Sequence, residues 1–137
     1  MPTSSRELLA LARKLQANET SEAALRCAVS RAHYAALHHV AAVFEPRTPS
    51  DQRKSESSHE EIIARAEVYG KGANLGRLCA LDIAKMWPKF KRLRVKADYD
   101  LYQHLSIQEC ADSITRCEMV MSLCDEVVQK RADKAAN

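Results

Sequence analysis

At 137 residues the chain is long enough to bury a core within a single domain. It carries only three glycines and four prolines, and alanine, leucine, glutamate, lysine and arginine dominate it, which favours helix and argues against a strand-rich fold. The net charge of +3 is too mild to name a partner, and no apolar run approaches the roughly 20 residues that span a bilayer. The start, "MPTSSRELLALARK", is charged and amphipathic and reads as no secretory leader. Five cysteines without a CxxC pair suit a reducing compartment, so the expected location is the cytoplasm.

Helix 1 is expected from about Ser5 to Ala17, because Ser4 precedes Glu7 by three residues, as in a capping box. Helix 2 starts at Thr20 or Ser21, with Glu22 in its first turn, and runs to about Phe44. Leu25, Val29, Ala32, Ala36, Val40 and Val43 make one apolar stripe on it. Its central alanines let another helix approach closely. Almost opposite lie Cys27, Arg31, Tyr34 and His38. An arginine, a tyrosine and a histidine on one face form either a ligand site or a polar network that fixes packing.

A polar segment with Pro46 and Pro49, residues 45–57, is expected to be a mobile loop. Helix 3 follows to about Tyr69, capped by Ser58 with Glu61 or by Ser57 with Glu60. "GKGANLG" breaks it. Helix 4 is expected from about Leu75 to Trp87, ending before Pro88, since proline disfavours helix at the residue ahead of it. Between Lys85 and Lys96 stand six basic residues, Lys85, Lys89, Lys91, Arg92, Arg94 and Lys96, and no acidic one. That run is either a solvated edge or a local field for a polyanion such as RNA.

Helix 5 is expected from about Ile107 to Lys130, capped by Ser106 and Glu109, with a frayed tail over residues 131–137. Ile107, Cys110, Ile114, Cys117, Met121, Cys124 and Val128 alternate spacings of three and four and form a seam towards a partner helix. Its three cysteines are seven residues apart, roughly 10 Å along a helix, which is too far for a disulfide or a shared metal. They read as small core residues, and Cys27 and Cys79 are expected to be packed as well. His59 reads as a surface or capping residue. The expected fold is an all-α, antiparallel up-and-down bundle of about five helices, with helices 2 and 5 central.

Three motifs in order resemble one known family. "AVSRAHYAALHHVAAVF", Ala28 to Phe44, resembles the second-helix signature of HEPN proteins. "SSHEEIIAR", Ser57 to Arg65, looks like that family's next helix start, and "LRVKADYDL", Leu93 to Leu101, is similar to an Arg-x-x-Ala-Asp-Tyr run that one HEPN branch carries before its last helix. The resemblance covers nearly the whole chain. It implies a helical bundle, often dimeric, that is linked with nucleotides and RNA. It also implies a relation to metal-independent ribonucleases of toxin and antiviral-defence systems, in which an Arg-x4–6-His motif from two copies meets in a shared cleft. His and Arg suit that chemistry, because attack by a 2′-OH needs a proton acceptor and a cation beside the phosphorane.

The chain departs from the motif. After four positions from Arg94 stands Tyr99, not histidine, and His104 lies beyond reach of the spacing. Arg31 and His38 fit the spacing, but on the wrong helix, and position 33 is His where Tyr is more usual. The leading expectation is therefore RNA or nucleotide binding by a homodimer. The site would combine Arg31, Tyr34 and His38 with Arg94, Asp98 and Tyr99 in a loop before helix 5, aided by Lys91, Arg92 and Lys96. If the chain is catalytic, Arg94 acts with Tyr99 or His38. The alternatives are a ribonuclease toxin or effector and a non-catalytic bundle that binds an antitoxin or another protein. No cofactor and no metal are expected, since no Asp and Glu spacing suits paired magnesium ions.

Overall fold

The computed structural model describes residues 3–18, 21–44 and 59–136. The expected loop at 45–57 and the Ser57 and Ser58 caps lie outside these. Among the described residues the chain is an all-α bundle of five helices: α1 (Ser5–Asn18), α2 (Glu22–Val43), α3 (His59–Lys71), α4 (Arg77–Tyr99) and α5 (Ile107–Ala136). No helix among them is long and apolar enough to cross a membrane.

Three helix starts follow the sequence signals. The Glu7 amide donates to Ser4 Oγ at 3.1 Å, and the Ala24 amide donates to Ser21 Oγ at 3.2 Å. At α5 the box is complete: the Glu109 amide donates to Ser106 Oγ and the Ser106 amide to Glu109 Oε1, both at 3.0 Å.

The largest difference from the sequence reading is α4. It does not stop at Pro88 but runs on to Tyr99, so "FKRLRVKADY" is helix and not loop. A proline inside a helix costs about 3 kcal/mol. On the far side of it Phe90, Leu93 and Ala97 are buried at helical spacing. A buried Phe or Leu contributes about 1.5–3 kcal/mol each, so the two together outweigh the proline. The other end of the segment is pinned as well. Arg26 of α2 is only 9% exposed, and it donates to the carbonyls of Lys96, Ala97, Asp100 and Gln103. These include the last carbonyls of α4, which have no partner within the helix. Helix α5, expected to end near Lys130, continues to Ala136.

The contacts fall into two compact units, one gathering residues up to His38 with Pro88–Met119, the other His39–Trp87 with Val120 onward. In the first, α2 and α4 run antiparallel: His33 meets Phe90, Tyr34 meets Arg94, Ser30 meets Asp98 and Arg26 meets the end of α4. Leu9 and Ala12 bury the inner face of α1, and Arg13 reaches Glu118 of α5 at 2.9 Å.

In the second unit α2 and α5 run in the same direction, His39 against Asp125 (2.7 Å) and the Val43 carbonyl against Arg131 (2.9 Å). Gly76, at φ 75°, turns the chain into α4 where a Cβ would sit 2.9 Å from Val127, so both the backbone and the space call for glycine.

The α2 stripe is buried from Leu25 through Val40, while Val43 is only half-buried. Ala28, Ala35 and Leu37 are buried too, so α2 packs over much of its circumference. The α5 seam holds in its middle, at Cys110, Ile114, Cys117, Met121 and Cys124. Its two ends are corrected: Ile107 is 63% and Val128 48% exposed, while Val120 and Val127 are buried instead. A straight helix drifts about 20° per heptad from a 3.5-residue pattern, so a seam three heptads long loses its ends. Cys27, expected to be packed, is exposed, whereas Cys79 is buried. Burial pushes the Cys117 and Cys124 thiols up to about 12.

Candidate functional site

The antiparallel pairing of α2 with the second half of α4 assembles a cluster around Arg94. Its Nε donates to Asp98 Oδ2 at 2.8 Å, and its Nη2 donates to Tyr34 Oη at 2.8 Å. The guanidinium carbon lies 5.4 Å from the ring centroids of both Tyr34 and Tyr99, within cation–π range. Ser30 Oγ donates to the same Asp98 oxygen at 3.4 Å. Burial works against the Arg94 charge, but Tyr34, Asp98 and Tyr99 outweigh it and raise the guanidinium pKa above its ordinary value. The cation is permanent.

A guanidinium has five N–H donors. Nε and one hydrogen of Nη2 are engaged. Nη1 has no hydrogen-bond partner among the described residues, and the Arg94 side chain keeps 14% of its surface exposed. Beside it Tyr99 is 67% exposed. The cluster is thus a fixed fork of donors with one end open, next to an open aromatic face.

The remaining candidates divide. His38 is exposed, with its ring 6.5 Å from that of Tyr34 and tilted by 34°, so it borders the cluster through Tyr34. Arg31 is exposed and makes no hydrogen bond or ion pair among the described residues. Lys96 is not an open cation, because it grips both Glu109 oxygens at 2.8 and 3.1 Å. That grip, the Lys96 hydrogen bond first and the Ser106 amide second, lowers the Glu109 pKa. Lys91 is half-buried and has an interaction of its own. Lys89 and Arg92 are exposed. At about 100° per residue they point some 140–160° away from Arg94 around α4. Of the two readings the sequence left open for the basic run, a solvated edge and a single field, the exposed Lys85, Lys89 and Arg92 fit the first, while Lys96 is paired with Glu109, Lys91 is half-buried and Arg94 points inward.

Three contributors were missed. Ser30 and Arg26 belong with Glu22 and Tyr34 to a row at four-residue steps, a register the sequence offers but one overshadowed by the Cys27–His38 row. His33 is buried, edge-on to Phe90 and Tyr34 at ring distances of 5.1 and 5.7 Å. It braces the cluster from below.

Elsewhere, in the second unit, a cavity of about 550 Å³ lies between the start of α4 and α5, lined by Arg77, Cys79, Asp82, Glu126 and Lys130 among others. Its charges are mixed and partly matched, Lys130 lying 3.8 Å from Glu126. Among the described residues no three His, Cys, Asp or Glu side chains converge as a metal site would require.

No family model matches the chain, and no curated protein or solved structure matches it either.

Proposed function

We propose that this chain binds RNA or a nucleotide through the Arg94 cluster. The observation that carries the reading is the open end of the Arg94 fork, held rigid between Tyr34 and Tyr99 beside an exposed ring. A preorganised arginine fork recognises phosphate or base acceptors, and an exposed tyrosine stacks on bases. The likeness of three motifs to HEPN proteins supports the same reading. The test is titration of purified protein with labelled RNA and with nucleotides, beside Arg94→Ala and Tyr99→Leu. Saturable binding lost in both variants supports it, and equal binding by wild type and Arg94→Ala rejects it. Running the RNA samples on a gel, with and without EDTA, separates cleavage from binding.

Pairing of two copies is favoured by one further observation. Leu101, Tyr102 and Ile107, on and beside the turn after α4, are 68%, 106% and 63% exposed. Arg26 fixes the backbone beneath them, so little ordering cost opposes a contact there. Light scattering of wild type and Leu101→Asp at micromolar concentration tests it. A mass near 15.4 kDa for both rejects pairing.

A further inference from the structure

The geometry points to a nucleobase rather than a phosphate as the group that Arg94 holds, and to guanine through its O6 and N7 edge. This rests on the nucleotide-binding reading above and names the part of the ligand that enters the site.

The charge balance argues first. Arg94 is already matched by Asp98 at 2.8 Å, so an incoming phosphate meets a nearly neutral pair with a carboxylate in it. Lys91, on the same side of α4 one turn earlier, is half-buried with an interaction of its own. Lys96 is held by Glu109, and Lys89 and Arg92 face away around α4. A phosphate site gathers positive charge, whereas this one gathers donors and rings.

The donor pattern argues second. With Nε on Asp98 and one Nη2 hydrogen on Tyr34, three donor hydrogens are left without a hydrogen-bond partner among the described residues, two on Nη1 and one on Nη2. Two of them match two adjacent acceptors. Guanine presents O6 and N7 in that arrangement, while adenine sets an amino donor beside N7.

The aromatic surface argues third. The Arg94 guanidinium lies 5.4 Å from the Tyr99 ring centroid, and Tyr99 as a residue is still 67% exposed. A base hydrogen-bonded to the fork has this ring to stack on, a contact open to every base. Stacking therefore supplies affinity and the fork supplies the choice among bases. The fork does not drift, because Asp98 fixes its near end and Ser30 steadies Asp98.

The experiment is calorimetric titration of the full chain with guanosine, GMP, adenosine, ribose 5-phosphate and inorganic phosphate, at low and high salt. The expected result is that guanosine and GMP bind with similar affinity, nearly independent of salt. Adenosine should bind more weakly by on the order of tenfold or more. Arg94→Lys keeps the charge and loses the fork, and should lose the preference for guanosine over adenosine. If that variant does not fold, guanosine-induced shifts of the Tyr99 ring resonances in the wild type serve instead, and their absence with guanosine bound places the base elsewhere and overturns the inference. Competition against GMP by ribose 5-phosphate or phosphate, with no binding of guanosine, overturns it while leaving nucleotide binding intact. Equal affinity for guanosine and adenosine overturns the choice of guanine. If none of these probes and no RNA binds, the nucleotide-binding reading falls and takes this one with it.

Discussion

Two arginines in this molecule sit against aromatic rings, and they are used differently. Arg131 of α5 donates to the Val43 carbonyl at the end of α2 at 2.9 Å and to Tyr69 Oη at 3.3 Å, with Tyr69 and Phe44 rings at 4.9 and 5.8 Å. Tyr69 in turn donates to the Leu75 carbonyl at 2.6 Å. This cluster ends on the backbone: it closes a helix terminus and ties down the turn after α3. The Arg94 cluster ends on side chains. Its partners are a carboxylate, a phenol and two rings, and no helix terminus depends on it. Backbone termini are helped by any donor, so an arginine there is explained by folding alone. An arginine tied by side chains into a fork with an open end is not, and that contrast singles out Arg94.

The contrast can be broken by substitution. The largest effect is expected from Ile114→Asp, which buries an unpaired charge in the core of the first unit. It should cost on the order of 3–5 kcal/mol or prevent folding. A soluble variant with unchanged melting would show that the core of the first unit is misplaced.

Arg26→Met comes next. It removes the donors to the Lys96 and Ala97 carbonyls at the end of α4 and to the Asp100 and Gln103 carbonyls beyond it, of which Lys96 and Asp100 keep backbone partners in the Asp100 and Gln103 amides. Leaving such groups unpaired costs about 1–3 kcal/mol each where they stay dry, and less where water reaches them. A loss of roughly 2–4 kcal/mol in urea unfolding is expected. A loss below 1 kcal/mol would mean that α4 ends there without help.

The direct comparison is Arg131→Met against Arg94→Met. The first should lower stability by about 1–2 kcal/mol and leave ligand binding unchanged. The second leaves the quarter-exposed Asp98 carboxylate without its partner and should cost about 1–3 kcal/mol, yet abolish binding. If the two variants swap these outcomes, the assignment of roles is wrong.

The smallest effect concerns pH. The Glu109 pKa is lowered in the folded state by Lys96 and the Ser106 amide. Its stabilisation is present above the unfolded carboxylate pKa and disappears as pH falls through the folded one. Stability should therefore decline on acidification below about pH 4.5. Glu109→Gln should remove part of that decline, by on the order of 1 kcal/mol for a pair of which each side chain is about a quarter exposed. Identical acid limbs for the two proteins would show that the pair contributes nothing.

The sequence by itself determined the helices and most of their faces. Capping serines, the α2 stripe and the middle of the α5 seam could be read because each depends on neighbours within a turn or two. The residue types of the candidate site were legible as well: Tyr34, Arg94, Asp98 and Tyr99 were all singled out. Tertiary structure decided what the local rules could not. Pro88 sits inside a helix because burial of Phe90 and Leu93, and the distant donors of Arg26, outweigh a local penalty of a few kcal/mol. That one change turned a basic loop into a helix, sent Arg92 outward and Arg94 inward, and set Lys96 against Glu109. Asp98 matches Arg94 from four residues on, within the helical period, but the contacts that hold Lys96 on Glu109, Arg94 on Tyr34 and Arg26 on the Gln103 carbonyl join residues 13 to 77 apart, at separations no periodicity reaches.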